Sequence, residues 1–336
     1  MRSQLNRSFR TALCILGGTP CARQKVQAHS IPVTMSGHRI FTFWEPSNDT
    51  IPYLELCRKT WELHLPNHEI ICLAYSDIRR YLADDVFDFS ILKRAPLPMQ
   101  KDAIMVALLN AHGGVFMDID TIVLGSIDPI LSKLAHSQVV MFGYHCGFLV
   151  SQPHSQLSGL WLENIRERLS RLHRTDALDL QWDYLGNAAL YQAMDALICR
   201  SEGESFRPSA SFQLPKKPQL LARFSNKLKS TRRKLYFSTV FRKYVCSLDR
   251  SRYGYILEES HATSGRLSAR DKYIDFWFNE HRDIDDIPAV RPAVIGLHNS
   301  WTPDWYKALP AQDVLRHPSL LSRTLAYATG QEPSVS

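Results

Sequence analysis

The chain reads as an α/β protein: a mixed, mainly parallel sheet flanked by helices. Three observations predict this. Strand-like and helix-like segments alternate from Arg39 onward, a pattern that favours parallel strands joined by crossover helices. A helix, Gly113-Gly114 and a short apolar strand follow one another directly and run into Asp118-Ile119-Asp120. The 336 residues are 45% hydrophobic and 22% charged, ordinary globular composition and length enough for one large domain of this class.

The elements follow in order. Arg39–Trp44 is a compact strand, closed by Glu45-Pro46 and a turn-rich Ser47-Asn48-Asp49. A helix starts near Pro52, a residue suited to a first turn, with Leu54, Cys57, Trp61 and Leu65 at helical spacing until Pro66-Asn67 stops it. Glu69–Tyr75 is a second strand, Asp77 is placed to cap a short helix reaching Tyr81, and a weaker strand is expected at Phe89–Leu92. Gln100–His112 is the next helix, with Ile104, Met105, Leu108 and Leu109 on one face. Gly113 supplies the positive φ that commonly closes a helix, and Val115–Met117 re-enters the sheet. Val139–Gly143 and Cys146–Val150 read as strands. Ser155 is placed to cap a helix carrying Leu157, Leu160, Trp161, Ile165, Leu169 and Leu172. Tyr184–Ile198 is helical, with Gly186-Asn187 near its start, and Val294–Leu297 is a last buried strand.

Domain boundaries are read as a leader or disordered segment at 1–36, one domain at 37–328 with a basic insertion at about 214–248, and a disordered tail at 329–336. Arg2, Arg7 and Arg10 precede a short apolar stretch, Ala12–Gly18, which resembles a poor signal peptide or weak anchor. No run reaches the roughly 18–20 apolar residues that a membrane-spanning helix needs. Seven cysteines, at 14, 21, 57, 72, 146, 199 and 246, are scattered without a Cys-x-x-Cys pair. They are read as reduced, with Cys57 and Cys72 acting as small apolar groups, which points to a cytoplasmic setting.

Lys and Arg number 40 against 33 Asp and Glu, a net charge of +7. That surplus favours anionic partners without choosing among nucleotides, phospholipid and nucleic acid. Between Lys216 and Lys243 lie Lys217, Arg223, Lys227, Lys229, Arg232, Arg233, Lys234 and Arg242, interleaved with leucines and phenylalanines and free of acidic residues. The segment is either a solvated insertion or an amphipathic surface for an anionic membrane, where each cation contributes about 1 kcal/mol. No recognised nucleic-acid module accompanies it, so no nucleic-acid partner is expected.

The carboxylate pair carries the chemistry. Alternation along an extended chain sends residues i and i+2 to one side, and paired hard oxygens at a strand end suit Mg²⁺ or Mn²⁺ carrying a diphosphate. By itself a D-x-D string is equally a capped turn. Its flanks distinguish it: R-I-F-T-F-W, P-Y-L-E-L-C-R-K-T-W and K-D-A-I-M-V-A-L-L-N-A-H-G-G-V-F-M-D-I-D, with H-N-S-W far downstream at 298–301. Together they resemble the DXD-motif glycosyltransferases, in particular the capsular-polysaccharide-synthesis and family 32 groups. The likeness covers about Arg39–Pro129 and Leu297–Trp301.

The resemblance implies a GT-A-like, Rossmann-related fold, a divalent cation (Mn²⁺ or Mg²⁺), a nucleotide diphosphate sugar as donor and retention of anomeric configuration. Residue by residue, it places Asp118 near ribose and metal, Asp120 on the metal and His298 as a third ligand. Asp102 would contact the donor sugar or ribose, Trp44 would stack the base, and Ser300, Trp301 and Asn299 would contact the diphosphate. Read without it, His298 and Trp44 are also ordinary core side chains, and Asp102 a first-turn carboxylate favoured by the helix dipole. Asp183 and Asn187 fall where relatives contact acceptor or sugar.

Two departures stand out: Met105 replaces an arginine of the family pattern and Phe116 a tyrosine. Methionine makes no charge-assisted bond to phosphate or sugar hydroxyls, so another cation substitutes, donor preference has drifted, or activity is lost. No general base is assigned. The expected activity is transfer of a hexosyl unit to a hydroxyl of a surface glycan or glycolipid, at the inner face of the membrane through peripheral contact. The alternatives are an effector that glycosylates a protein, and a non-catalytic protein that binds membrane or polynucleotide through 216–243.

Overall fold

The computed structural model describes residues 38–46, 50–143, 145–172, 183–201, 242–256, 268–287 and 292–331. The sequence-expected leader, the basic run from Lys216 to Phe241 and the last five residues lie outside them.

In chain order the first half contains β1 (Arg39–Phe43), α1 (Pro52–His64), β2 (Glu69–Leu73), a 3₁₀ turn at Ile78–Arg80, α2 (Phe89–Leu92), α3 (Leu97–His112), β3 (Gly114–Met117) and β4 (Thr121–Val123). Then come α4 (Asp128–Leu131), β5 (Val139–Phe142), β6 (His145–Ser151), α5 (Gln156–Leu172) and α6 (Asn187–Ser201). The remainder is β7 (Val245–Ser247), α7 (Arg250–Tyr253), β8 (Gly254–Ile256), α8 (Ala269–Trp277), β9 (Val294–Gly296), α9 (Asp304–Lys307), α10 (Ala311–Arg316) and α11 (Leu320–Ala328).

Among the described residues the main sheet has six strands in the order β2-β1-β3-β6-β5-β7. β1 runs parallel to β2 and β3, β5 runs parallel to β7, and β6 is antiparallel to both its neighbours. The sheet is therefore mixed and mainly parallel, as the alternation of elements predicts. Val245–Ser247, which the sequence groups with the basic insertion, is its edge strand.

Strand alternation divides the core. Phe41, Phe43, Phe116, Met141 and Leu149 pack with side chains of α2, α3, α5 and α6. Ile40, Val115, Met117, Val140, Phe148 and Val150 face the other way, against Trp61 and Leu65 at the α1 side and Ile130 and Leu131 of α4. Helices thus cover both faces. α3 is buried nearly all round, Met99 and Ala103 to Leu109 included, because the sheet lies on one side and α5 on the other.

A second sheet of three strands, β4-β9-β8, places β9 antiparallel to β4 and parallel to β8. Its side chains Ile122 and Ile295 join a separate core with Tyr53, Leu54 and Cys57 of α1, Trp277 of α8, and Leu321 and Leu325 of α11. α1 ties the two regions together. Its Trp61 indole donates to the Thr121 carbonyl at 2.6 Å, and Thr60 Oγ1 accepts the Val123 N–H at 2.9 Å.

Three sequence expectations need correction. Phe89–Leu92 is a helical turn, not a strand: Asp88 Oδ1 accepts the N–H groups of Ser90 and Ile91 and starts it. Asp77 precedes the 3₁₀ turn without capping it by its side chain; its carboxylate pairs instead with Arg80 at 3.5 Å. Cys57 is buried as expected, but Cys72 is exposed: it alternates with the buried Ile71 and Leu73 and so lies on the opposite face of β2.

Candidate active site

Asp102 and Asp118 meet because α3 and β3 form one continuous unit. α3 ends at Gly113, whose N–H bonds the Leu109 carbonyl at 2.9 Å and whose φ of 64° turns the chain back toward the sheet. A Cβ there would collide with Pro153, and one on Gly114 (φ 91°) with the Arg39 carbonyl, so both positions require glycine. β3 then runs beside β1, pairing Phe116 with Phe41. The two strands end at one edge of the sheet, with Trp44 just past β1 and Asp118 just past β3. Open α/β sheets bind ligands at such a carboxyl edge. The Asp118 N–H is fixed to the Gly147 carbonyl of β6 at 2.8 Å.

Asp118-Ile119-Asp120 is a turn rather than an extended strand. The Thr121 N–H bonds the Asp118 carbonyl at 3.0 Å, and the chain passes into the second sheet. The side-by-side placement expected from strand alternation therefore does not apply. Asp118 is directed to the α3 side, where Lys101 Nζ lies 3.0 Å from its Oδ1 and 2.9 Å from Asp102 Oδ1. Asp120 meets the segment after β9: its Oδ2 accepts the Asn299 N–H at 2.6 Å, and its carbonyl accepts the Leu297 N–H at 3.2 Å. The Asn299 side chain is held in turn by Tyr53, whose hydroxyl donates to Oδ1 at 2.5 Å.

His298 arrives at the same edge, since the residues on both sides of it contact Asp120. Its ring belongs to an aromatic group, with centroids 4.3 Å from Trp301, 5.7 Å from Tyr273 and 5.9 Å from His145. Ser300 is exposed in the turn that follows. Trp44 packs at the margin of the second core. Asp183 and Asn187 flank Gly186, which is so close to Asp102 that a Cβ on it would strike the carboxylate. The start of α6 thus borders the site.

Met105 and Phe116 are fully buried in the main core. At both positions the side chain faces packed hydrocarbon, so neither contributes a polar group here. Lys101 is the missed cation. Its signal was present as the basic residue directly before Asp102, one helical step from the site. Tyr53, Tyr273 and His145 were missed because each comes from an element whose placement depends on long-range packing.

The electrostatics are those of crowded carboxylates. Burial, followed by repulsion from Asp118, pushes the Asp120 carboxyl up, against the opposing hydrogen bond from Asn299 and the charge of Lys101. Burial also raises Asp102, although Lys101 opposes it. Lys101 is itself drawn down by burial, but Asp102 and Asp118 more than reverse this and hold it protonated. Burial lowers His145 to about 4, leaving a neutral ring whose Nδ1 accepts the Gly147 N–H at 3.0 Å. The proton is then assigned to Nε2.

A divalent cation fits these residues by charge and by donor chemistry. Three carboxylates share one ammonium, leaving two negative charges unbalanced when all are ionised. Asp118 Oδ1 is buried and makes no hydrogen bond even though Lys101 is near. The ligand set is not drawn together, however: among the described residues no three His, Cys, Asp or Glu side chains form a metal-holding group.

Comparison with curated proteins gives no match. Among solved structures, the chain is similar to one titled PaToxG Glycosyltransferase, with 13% identity, 61% of this chain and 78% of that chain covered and a TM-score of 0.33. Residues 51–136, which contain α1, α3, the paired glycines and both aspartates of the turn, match the family described as a glycosyltransferase sugar-binding region containing the DXD motif, and this match supports a glycosyltransferase.

Proposed function

We propose that the protein transfers a hexosyl unit from a nucleotide diphosphate sugar to a hydroxyl group, using a divalent cation, Mn²⁺ or Mg²⁺, and retaining anomeric configuration. The observation that carries this reading is the meeting of Asp102, Asp118 and Asp120 with the 298–301 segment at the carboxyl edge of the sheet. Asp118, Asp120 and His298 are assigned to hold the cation, which would neutralise charge developing on the departing diphosphate. Asn299, Ser300 and Trp301 supply an amide, a hydroxyl and an indole N–H suited to phosphate oxygens. Trp44 offers an aromatic face for a planar base. Asp102, paired with Lys101 at 2.9 Å, offers carboxyl oxygens suited to accept hydrogen bonds from sugar hydroxyls.

The acceptor we propose is a surface glycan or glycolipid, for which the net charge of +7 favours an anionic membrane surface. Among the described residues no helix is long and apolar enough to cross a membrane.

The test is donor hydrolysis, measured as nucleoside diphosphate released from a panel of UDP- and GDP-sugars with Mn²⁺. At least one donor should be cleaved, EDTA should abolish cleavage and added Mn²⁺ should restore it. Undiminished cleavage in EDTA would overturn the metal-dependent reading.

A further inference from the structure

Lys101 is placed where it must interact with any cation that approaches Asp118. Its ammonium lies 2.9 Å from Asp102 and 3.0 Å from Asp118, with the Cys146 carbonyl at 3.5 Å. The side chain is only 17% exposed, so water screens these contacts weakly. Lys101 and Asp102 are neighbours on α3, a rigid helix buried in the main core. Asp118, by contrast, leads a turn and is 28% exposed. The firm pair is Lys101–Asp102, and Asp118 is the partner more readily withdrawn.

We propose that Lys101 is a resident counter-ion that competes with the divalent cation for Asp118, and so sets the affinity of the site for metal. Without metal, the ammonium neutralises part of the carboxylate cluster and occupies Asp118 as well as Asp102. A divalent cation held by Asp118 would have to displace or repel that ammonium, which would keep Asp102 as its partner. This accounts for an ammonium held among carboxylates of metal-binding chemistry. It also gives the cation beside Asp102 a role that the buried Met105 cannot fill.

The inference rests on the metal-dependent reading above but is tested separately from it. Mn²⁺ alone is titrated into the full chain by calorimetry, without nucleotide, for the native protein, Lys101→Arg, Lys101→Gln and the double variant Lys101→Gln/Asp102→Asn. The double variant leaves two carboxylates and no ammonium, the native net charge, so it should bind Mn²⁺ more tightly than native but by less than Lys101→Gln. It gives an answer if the single variant fails to fold: binding weaker than native would count against the competition. Removing the ammonium alone, in Lys101→Gln, should tighten Mn²⁺ binding by about tenfold, the scale of one unscreened neighbouring charge. Lys101→Arg should stay within a few-fold of native. Equal or weaker binding by Lys101→Gln, with native binding intact, would overturn the competition and leave the metal-dependent reading standing. If no form binds Mn²⁺, both fall together.

Discussion

Asn299 carries two jobs in one residue. Its backbone N–H satisfies Asp120 Oδ2, and its side-chain oxygen accepts the hydroxyl of Tyr53 on α1. The Tyr53 hydroxyl titrates well above its usual range because it is buried and, next, because Asp120 is near, so it remains a donor throughout the working range of pH. Tyr53→Phe keeps the packing of the ring but deletes that donor. The substitution should cost about 1 kcal/mol of stability, the net worth of one hydrogen bond with a partly buried partner, read as a lower midpoint in chemical denaturation. An unchanged midpoint would show that Tyr53 does not hold Asn299. The aspartates were legible in the sequence because their flanking string is distinctive. Tyr53 was not, since one tyrosine in a helix gives no sign that its hydroxyl reaches a residue 246 positions away.

At the scale of elements, the helix–Gly-Gly–strand unit sets the site. Gly113 has φ 64° and ψ −159°, a region open almost only to glycine. A Cβ added to it would also strike Pro153 and approach the Ser151 carbonyl. Gly113→Ala should therefore destabilise the fold by about 1–3 kcal/mol, visible as a lowered thermal midpoint, and should shift Asp102 relative to Asp118. A midpoint equal to native would mean that the turn tolerates a side chain. This unit was readable because a long apolar helix, two glycines and a strand carry strong local signals. Phe89–Leu92 was misread since four apolar residues have no period to measure, and the deciding interaction was a cap from Asp88. Asp118 and Asp120 were expected to project from a strand, yet the chain turns there to enter another sheet, a choice made by β9 pairing with β4.

At the scale of the whole molecule, two sheets and two cores share one edge. The main sheet supplies Asp118 and the helix carrying Lys101 and Asp102. The smaller sheet delivers Leu297 to Trp301 onto Asp120, supported by α1, α8 and α11. The parallel order of the first strands was legible from alternation of elements, whereas the second sheet joins segments far apart in the chain, and no local pattern announces such pairing. The family match covers 51–136 and so reaches Asp102, Asp118 and Asp120 but not the 298–301 segment. The contact from Asn299 to Asp120 is what links that segment to the matched region. The claim on which the account depends is that Asp120 belongs to a site that cleaves a nucleotide sugar. Its most direct test compares Mn²⁺-dependent donor hydrolysis by the native protein and by Asp120→Asn, with circular dichroism and thermal midpoint measured on both. The account predicts at least a hundredfold loss of hydrolysis in a variant that remains folded, because the amide keeps an oxygen for the Asn299 N–H while surrendering the charge. Hydrolysis at the native rate in a folded Asp120→Asn protein would contradict it.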